Sequence, residues 1–358
     1  MRLGIIGLPQ AGKTTLFNAL TRATQPTGAS GKIEIHTAVV DVPDKRVDRL
    51  AEIFKPKKSV YAKVTYVDIG GLDGSASKAG IPGALLNQLT QMDGFIQVVR
   101  VFEDDNVAHV LNSINPQRDI ENMESEFVLN DLIQVERKLE RLDEEKKKGA
   151  GRDKGLIERE HVLFQRLHET LLKEIPLRDI EIDSEEDRLL SGFGFLSRKP
   201  MLIVLNTAEG QAAPEIHYPH QHSMVIALQG KLEMEIAQLP PDEAEMFMQE
   251  YGIQELSLNR MIRLSYDLLG LQSFLTAGPD ECRAWTVRRG ATAPEAAGEI
   301  HTDLQKGFIR AEVVAYDDLI ALGGMAEART HGKLRMEGKE YIVKDGDILN
   351  ILFNVSKH

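Results

Sequence analysis

The sequence predicts an α/β protein that carries an inserted helical pair and ends in a small α+β module. Three observations predict it. Unbroken apolar runs of strand length alternate with helical stretches, a seven-residue apolar repeat occupies the middle, and short strand-like runs separated by glycine turns close the chain. At 358 residues the chain is too long for one ordinary core. Its 42% hydrophobic and 27% charged residues exclude a disordered or collagen-like chain. A single cysteine, Cys282, excludes a disulfide framework within the chain and a cysteine-based zinc cluster, and fits a reducing compartment. No apolar run approaches the roughly 20 residues of a spanning helix, and the apolar opening run is too short for a secretory signal. A cytoplasmic location away from membranes is therefore expected. A net charge of −12 argues against a whole-surface grip on nucleic acid, so DNA is not an expected partner and any RNA contact must use local basic patches.

Taken in order, residues 2–7 form the first strand candidate, β-branched at its centre. A glycine-rich turn follows, and then a helix over residues 14–24 with Leu16, Phe17 and Leu20 on one face. Residues 64–68, 95–101, 201–205 and 223–227 supply four more strands. Val128, Leu132, Val135, Leu139 and Leu142 step by four and three, as a heptad seam does. A basic, glycine-rich turn at residues 146–155 breaks it, and Leu156, Leu163, Leu167 and Leu171 resume an apolar stripe up to Pro176. These features predict an antiparallel helical hairpin with a basic tip. Beyond Ser273 lie strand-like runs at residues 283–288, 310–314, 341–343 and 348–354, with one helix at 293–304. The expected division is an α/β domain of residues 1–123 and 196–272, the hairpin at 124–195, and the terminal module at 273–358.

Gly7-Leu8-Pro9-Gln10-Ala11-Gly12-Lys13-Thr14 matches G-x-x-x-x-G-K-[ST], between a strand and a helix as that motif requires. The glycines let backbone N–H groups turn towards phosphate oxygens, and the helix N-terminus adds its positive end. Gln10, Ala11, Gly12, Lys13, Thr14 and Thr15 form the candidate nucleotide loop. Lys13 would reach the β- and γ-phosphates, and the Thr14 hydroxyl would meet Mg²⁺. Asp68-Ile69-Gly70-Gly71 has the D-x-x-G form at a strand end. Asp68 would hold the metal through a water, and the Gly71 N–H would meet the γ-phosphate. Asn206-Thr207-Ala208-Glu209 stands where guanine-nucleotide switches carry N-K-x-D. Thr207 and Glu209 replace the Lys and the Asp, and a lengthened carboxylate does not keep the bidentate grip on guanine. Weaker guanine preference and room for adenine follow.

The three motifs together make the chain resemble the YchF subfamily of Obg-like ATPases over nearly its full length. The tail carries the most specific part, in Arg283-Ala284-Trp285-Thr286, Gly298-Glu299-Ile300-His301-Thr302-Asp303 and residues 307–313. This resemblance implies a Ras-like P-loop NTPase domain with the inserted hairpin, and a terminal TGS domain of β-grasp form. It implies a slow hydrolase of ATP, or of GTP, that requires Mg²⁺ and binds the ribosome and its rRNA. It also implies a catalytic histidine on a loop, since Leu72 occupies the position where Ras-like enzymes carry a water-orienting Gln; the matching residue here is His109. Two departures bear on turnover. Lys32 stands where the family has a Thr that completes the Mg²⁺ shell, so that either Thr37 serves or switch I closes differently, and the loop under the base reads Ala227-Leu228-Gln229. The alternatives are a nucleotide-gated ribosome- or RNA-binding module with negligible hydrolysis, and a GTPase with an atypical base loop. Basic residues for rRNA are offered at the hairpin tip, residues 146–154, and by Arg283, Arg288, Arg289, Lys306 and Arg310.

Overall fold

A computed structural model describes residues 1–22, 35–70, 72, 81–148 and 152–354. In chain order the strands are β1 (Arg2–Ile6), β2 (Ile35–Asp41), β3 (Lys58–Val60), β4 (Lys63–Ile69), β5 (Gly94–Arg100), β6 (Met201–Asn206), β7 (Ser223–Leu228), β8 (Leu271–Ala277), β9 (Glu281–Arg288), β10 (Phe308–Ala315), β11 (Arg335–Glu337) and β12 (Asp347–Phe353). The helices are α1 (Lys13–Thr21), α2 (Lys45–Phe54), α3 (Gly83–Thr90), α4 (Pro116–Lys148), α5 (Lys154–Leu172), α6 (Ser184–Leu190), α7 (Gly230–Gln238), α8 (Pro241–Glu250), α9 (Ser257–Leu268), α10 (Ala293–Ile300), α11 (Thr302–Lys306), α12 (Tyr316–Leu322) and α13 (Met325–Thr330). The chain divides into two compact units, Met1–Ala38 with Thr65–Leu258, and Val39–Val64 with Asn259–His358.

The sheet of the first unit has the order β2-β4-β1-β5-β6-β7, and β1 pairs in parallel with both β4 and β5. The pairs β5–β6 and β6–β7 are parallel too. Every residue of β5 and β6 is buried, as the unbroken apolar runs require of a sheet covered on both faces. Phe95, Val99, Ile203 and Leu205 pack with Leu85 and Leu89 of α3 and with Ile120, Met123 and Phe127 of α4. The chain leaves β1 towards β4 and then returns to β5 on the other side. The carboxyl end of β1 is therefore where the connections diverge, and a ligand crevice opens at such a point.

Helices α4 and α5 carry their own core of Val128, Val135, Leu142, Ile157, Phe164 and Leu167, extended by Leu190 and Phe195. The expected stripe on α5 is off by one residue at its start. Leu156 is exposed, and Ile157 takes the seam position, one heptad before Phe164. Glu160 lies in the same seam, buried and paired with Lys138 at 2.7 Å and with Arg152. Because α4 begins at Pro116, its first turns belong to the sheet core and its later turns to the hairpin.

The second unit holds a mixed sheet of order β11-β10-β12-β8-β9-β3, with β8–β9 and β10–β12 antiparallel and β12–β8 parallel. Ala293, Ala296 and Ala297 of α10 pack onto Phe274, Val287, Val313 and Leu349. This unit reaches beyond the expected start at residue 273. It takes in α9, and also residues 39–64, because β3 pairs in parallel with β9 (Lys58 opposite Glu281) and Arg46 of α2 binds Asp345 at 2.8 Å. The helix expected over 293–304 is two helices. His301 is extended (φ −164°), and its Nδ1 accepts from the Asp303 N–H at 3.1 Å to start α11. Residues 341–343 make only an isolated bridge, Ile342 to Thr292, instead of a strand.

Candidate functional site

The phosphate loop connects β1, whose last four residues are buried, to α1. Gly12 caps α1 at φ 100° with no side-chain cap, so the first N–H groups of the helix stay available to an anion. A Cβ on Gly12 would overlap the Asn206 amide, so glycine is required there on two counts. The Lys13 ammonium folds back over the loop and donates to the carbonyls of Gly7 at 2.9 Å and Leu8 at 2.8 Å. Burial lowers its pKa to about 8, with Asp68 pulling the other way. Thr14 Oγ1 donates to Asp68 Oδ2 at 3.1 Å. Burial raises the Asp68 carboxyl above its ordinary range, against the opposing effects of Thr14, Lys13 and His36. Ala11 is buried, Gln10 is exposed at φ 62°, and Thr15 is half-buried in the first turn of α1.

Thr14 and Asp68 bring one hydroxyl and one carboxylate together, hard oxygen donors of the kind Mg²⁺ takes alongside substrate phosphates and water. The pair fits that ion. Among the described residues no group of three or more His, Cys, Asp or Glu is placed to hold a metal as an all-protein cage. Of the switch residues, Gly71 and Lys32 lie outside the described residues. Thr37 is exposed on β2, while its neighbour His36 lies beside Phe17, with ring centroids 6.1 Å apart, and acts on Asp68. Alternation along the strand turns Thr37 to the face opposite His36, so it is a poor substitute ligand beside Asp68.

On the base side, the Asn206 amide is spent on the fold. Nδ2 donates to Ala11 O at 3.0 Å, and Oδ1 accepts from Gly230 N–H at 3.0 Å. This one side chain thus joins the phosphate loop to the loop that opens α7. Thr207 is buried, and its N–H and hydroxyl both donate to Leu228 O, at 3.0 and 3.3 Å. Glu209 is exposed. Gln211, which the sequence did not single out, orders the turn by accepting from Ala208 N–H at 2.9 Å and donating to Val101 O at 3.2 Å.

His109 is buried, among residues that include Leu8, Pro9, Ala11, Arg100 and Asp119. Leu111 N–H donates to its Nδ1 at 3.1 Å, so that nitrogen carries no proton, and Nε2 faces Asp119 Oδ2 at 2.9 Å. Arg118 donates twice to the other Asp119 oxygen, at 2.9 and 2.7 Å. Arg100 gathers the loop by donating to the carbonyls of Phe102 at 3.1 Å and Val107 at 2.8 Å. Neither Asp119 nor Arg100 carries a motif, and only their proximity in the fold reveals them. Leu72 is buried in the same core as Ile6 and Leu8 and offers no polar atom.

The basic patches are partly neutralised. At the hairpin tip Lys146 pairs with Glu158 at 2.9 Å, and Arg152 pairs with Glu145 and Glu160. In the second unit Arg283 lies 3.8 Å over the Trp285 ring and Arg289 binds Asp267 at 3.0 Å, while Arg288, Lys306 and Arg310 are exposed. No helix among the described residues is long and apolar enough to cross a membrane.

Comparison with known proteins agrees with this geometry. Residues 2–138 match the family of 50S ribosome-binding GTPases, and residues 271–354 match the C-terminal family of YchF GTPases, described as proteins of unknown function. The chain is 41% identical to the ribosome-binding ATPase YchF of Bacillus subtilis, over 98% of this chain and 99% of that protein. It is 36% identical to Obg-like ATPase 1 of rice, Oryza sativa, over 99% and 93%. The structure of the Schizosaccharomyces pombe YchF GTPase superposes with a TM-score of 0.82 at 29% identity, covering 98% of this chain and 97% of that one. A phosphate loop on a Ras-like sheet, an N-x-x-E base loop and full-length identity of this order lead to one conclusion: the chain belongs to the YchF family.

Proposed function

We propose that this chain is a ribosome-associated hydrolase of nucleoside triphosphates that takes ATP in preference to GTP, with Mg²⁺, at the loop formed by residues 7–15. The observation that carries the reading is the convergence of Lys13, Thr14 and Asp68 at the carboxyl end of β1. The N–H groups that open α1 and the Lys13 ammonium would bind the β- and γ-phosphates, with Lys13 exchanging the Gly7 and Leu8 carbonyls for phosphate oxygens. Thr14, and Asp68 through a water, would hold Mg²⁺, which when bound neutralises charge building on the phosphate oxygens. Gly71 would add its N–H to the γ-phosphate. Asn206 would fix the base loop, with Thr207 and Glu209 in place of a guanine-specific pair.

In this reading His109 orients the attacking water, a role that Leu72 lacks the atoms to fill. With Nδ1 unprotonated the imidazole has an acceptor to offer, but Nδ1 must first give up the Leu111 N–H, and the ring must leave Asp119 to reach the phosphates. Turnover of the isolated protein is accordingly slow. The names of the relatives, which include ribosome-binding ATPase, support the ribosome as partner, and the exposed Arg288, Lys306 and Arg310 are the groups available for rRNA phosphates. Steady-state phosphate release from ATP, with and without ribosomes, tests the reading. Release above that of a Lys13→Ala chain is expected in both conditions, and faster with ribosomes. No release above that background in either would refute hydrolysis.

A further inference from the structure

We propose that Gln229 reads position six of the purine, its side-chain oxygen accepting from the exocyclic amine of an adenine nucleotide. The inference rests on the nucleotide reading above and deepens it. Gln229 stands between β7 and α7, at the N-cap of α7, yet its side chain makes no capping hydrogen bond. Its Oε1 is buried and has no hydrogen-bond partner among the described residues. A buried acceptor with nothing to accept from is costly, and native folds keep such atoms where a ligand or water completes them.

The position of the residue says which part of a nucleotide would complete it. The backbone on either side is pinned to the nucleotide loops. Leu228 O accepts from Thr207, and Gly230 N–H donates to Asn206, whose other end holds Ala11 of the phosphate loop. Gln229 thus sits at the carboxyl ends of the neighbouring parallel strands β6 and β7, one residue from the tie to the phosphates. That is the side of the site where the N-x-x-E loop faces the base. Adenine presents a donor at position six and guanine presents an acceptor. A buried carbonyl oxygen bonds the first and repels the second. The exposed Glu209 carboxylate keeps its water and discriminates less well than an oxygen already withdrawn from solvent. An amide can turn over and offer its NH₂ group instead, which would favour a 6-oxo purine, so the test must separate the two orientations.

Calorimetric binding to the full chain would compare ADP, purine riboside 5′-diphosphate, which lacks the amine, and inosine 5′-diphosphate, which carries the 6-oxo group. The expected order for the wild type is ADP tighter than the purine riboside by about tenfold, the worth of one buried hydrogen bond, and inosine diphosphate weaker still. Gln229→Met, similar in length but without the acceptor, should bring ADP and the purine riboside within about twofold of each other. Gln229→Glu, which offers only acceptors when ionised, should keep ADP ahead at a pH well above the carboxylate range. The side chain makes no hydrogen bond within the described fold, so Gln229→Met is expected to melt no lower than the wild type and Gln229→Glu somewhat lower, since it buries a carboxyl there; should the methionine chain not fold, the glutamate chain decides. Wild-type ratios retained in Gln229→Met, or adenine preference lost in Gln229→Glu, would overturn the inference while leaving the nucleotide site intact. A wild type that binds none of the three would overturn the site itself.

Discussion

Asn206 is the residue whose removal should reach furthest. Its buried amide donates to Ala11 O and accepts from Gly230 N–H, each at 3.0 Å, so Asn206→Ala leaves a carbonyl and an N–H without partners. At roughly 1–3 kcal/mol for each orphaned buried group, the first unit should lose about 2–6 kcal/mol. Gly230→Ala should be costly alone, because its Cβ would stand 2.7 Å from Asn206 Oδ1, and forcing such a contact costs about 1–3 kcal/mol. With Asn206 shortened to Ala that contact vanishes, and the added methyl even favours the helix by up to ~1 kcal/mol. The helix gain is common to the single and the double variant, so the double should be more stable than the sum of the singles by the relieved contact, about 1–3 kcal/mol. The chain has one tryptophan, Trp285, in the second unit, so its fluorescence reports the wrong core. Hydrogen exchange at the β6 amides reads the right one. Additivity within about 0.5 kcal/mol would refute the close packing of Asn206 against residue 230, and an Asn206→Ala chain as stable as the wild type would refute its bridging role.

Three further outcomes are expected. Lys13→Ala should weaken ATP binding by about a hundredfold or more, through loss of charge-assisted bonds to phosphate worth roughly 1.5–3 kcal/mol each, with the melting curve retained; unchanged ATP affinity would end the phosphate-loop reading. His109→Ala should lower turnover and leave ATP affinity unchanged, and wild-type turnover with saturating ribosomes would remove His109 from the chemistry. Burial raises the Asp131 carboxyl from 3.8 to about 6 against opposing hydrogen bonds from Ser197 and Leu196, so its stabilising contribution is full below about pH 4 and lost as the pH rises through about 6, some 3 kcal/mol in all. Denaturant unfolding from pH 4 to 6.5 should show that decline in the wild type and lack it in Asp131→Asn; identical slopes would contradict it.

What could be read from the sequence was what is local. Strand, glycine turn and helix follow one another in residues 2–21, so the phosphate loop and its context could be recognised together. The apolar runs of β5 and β6 announced a sheet buried on both faces for the same reason. Partnerships between distant segments could not be read. Nothing in residues 58–60 signals pairing with β9, and so the grouping of residues 39–64 with the second unit is visible only in the fold. Leu156 looked like the seam residue because both it and Ile157 are apolar, and only packing chose between them. Asp119 and Arg118 look like ordinary helix-surface charges, yet Asp119 is the carboxylate that holds His109. The basic tip read as a free cluster because Glu145, Glu158 and Glu160 approach it only once the hairpin has closed.

The base loop is the point on which the proposed preference for ATP over GTP stands or falls. Direct competition of ATP against GTP for the full chain in the presence of Mg²⁺ tests it in one titration. Asn206-x-x-Glu209 with Thr207 in place of Lys predicts that ATP displaces a bound adenine nucleotide and that GTP does so about tenfold or more less effectively, the worth of one well-placed base contact. GTP competing as well as ATP, or better, would contradict it.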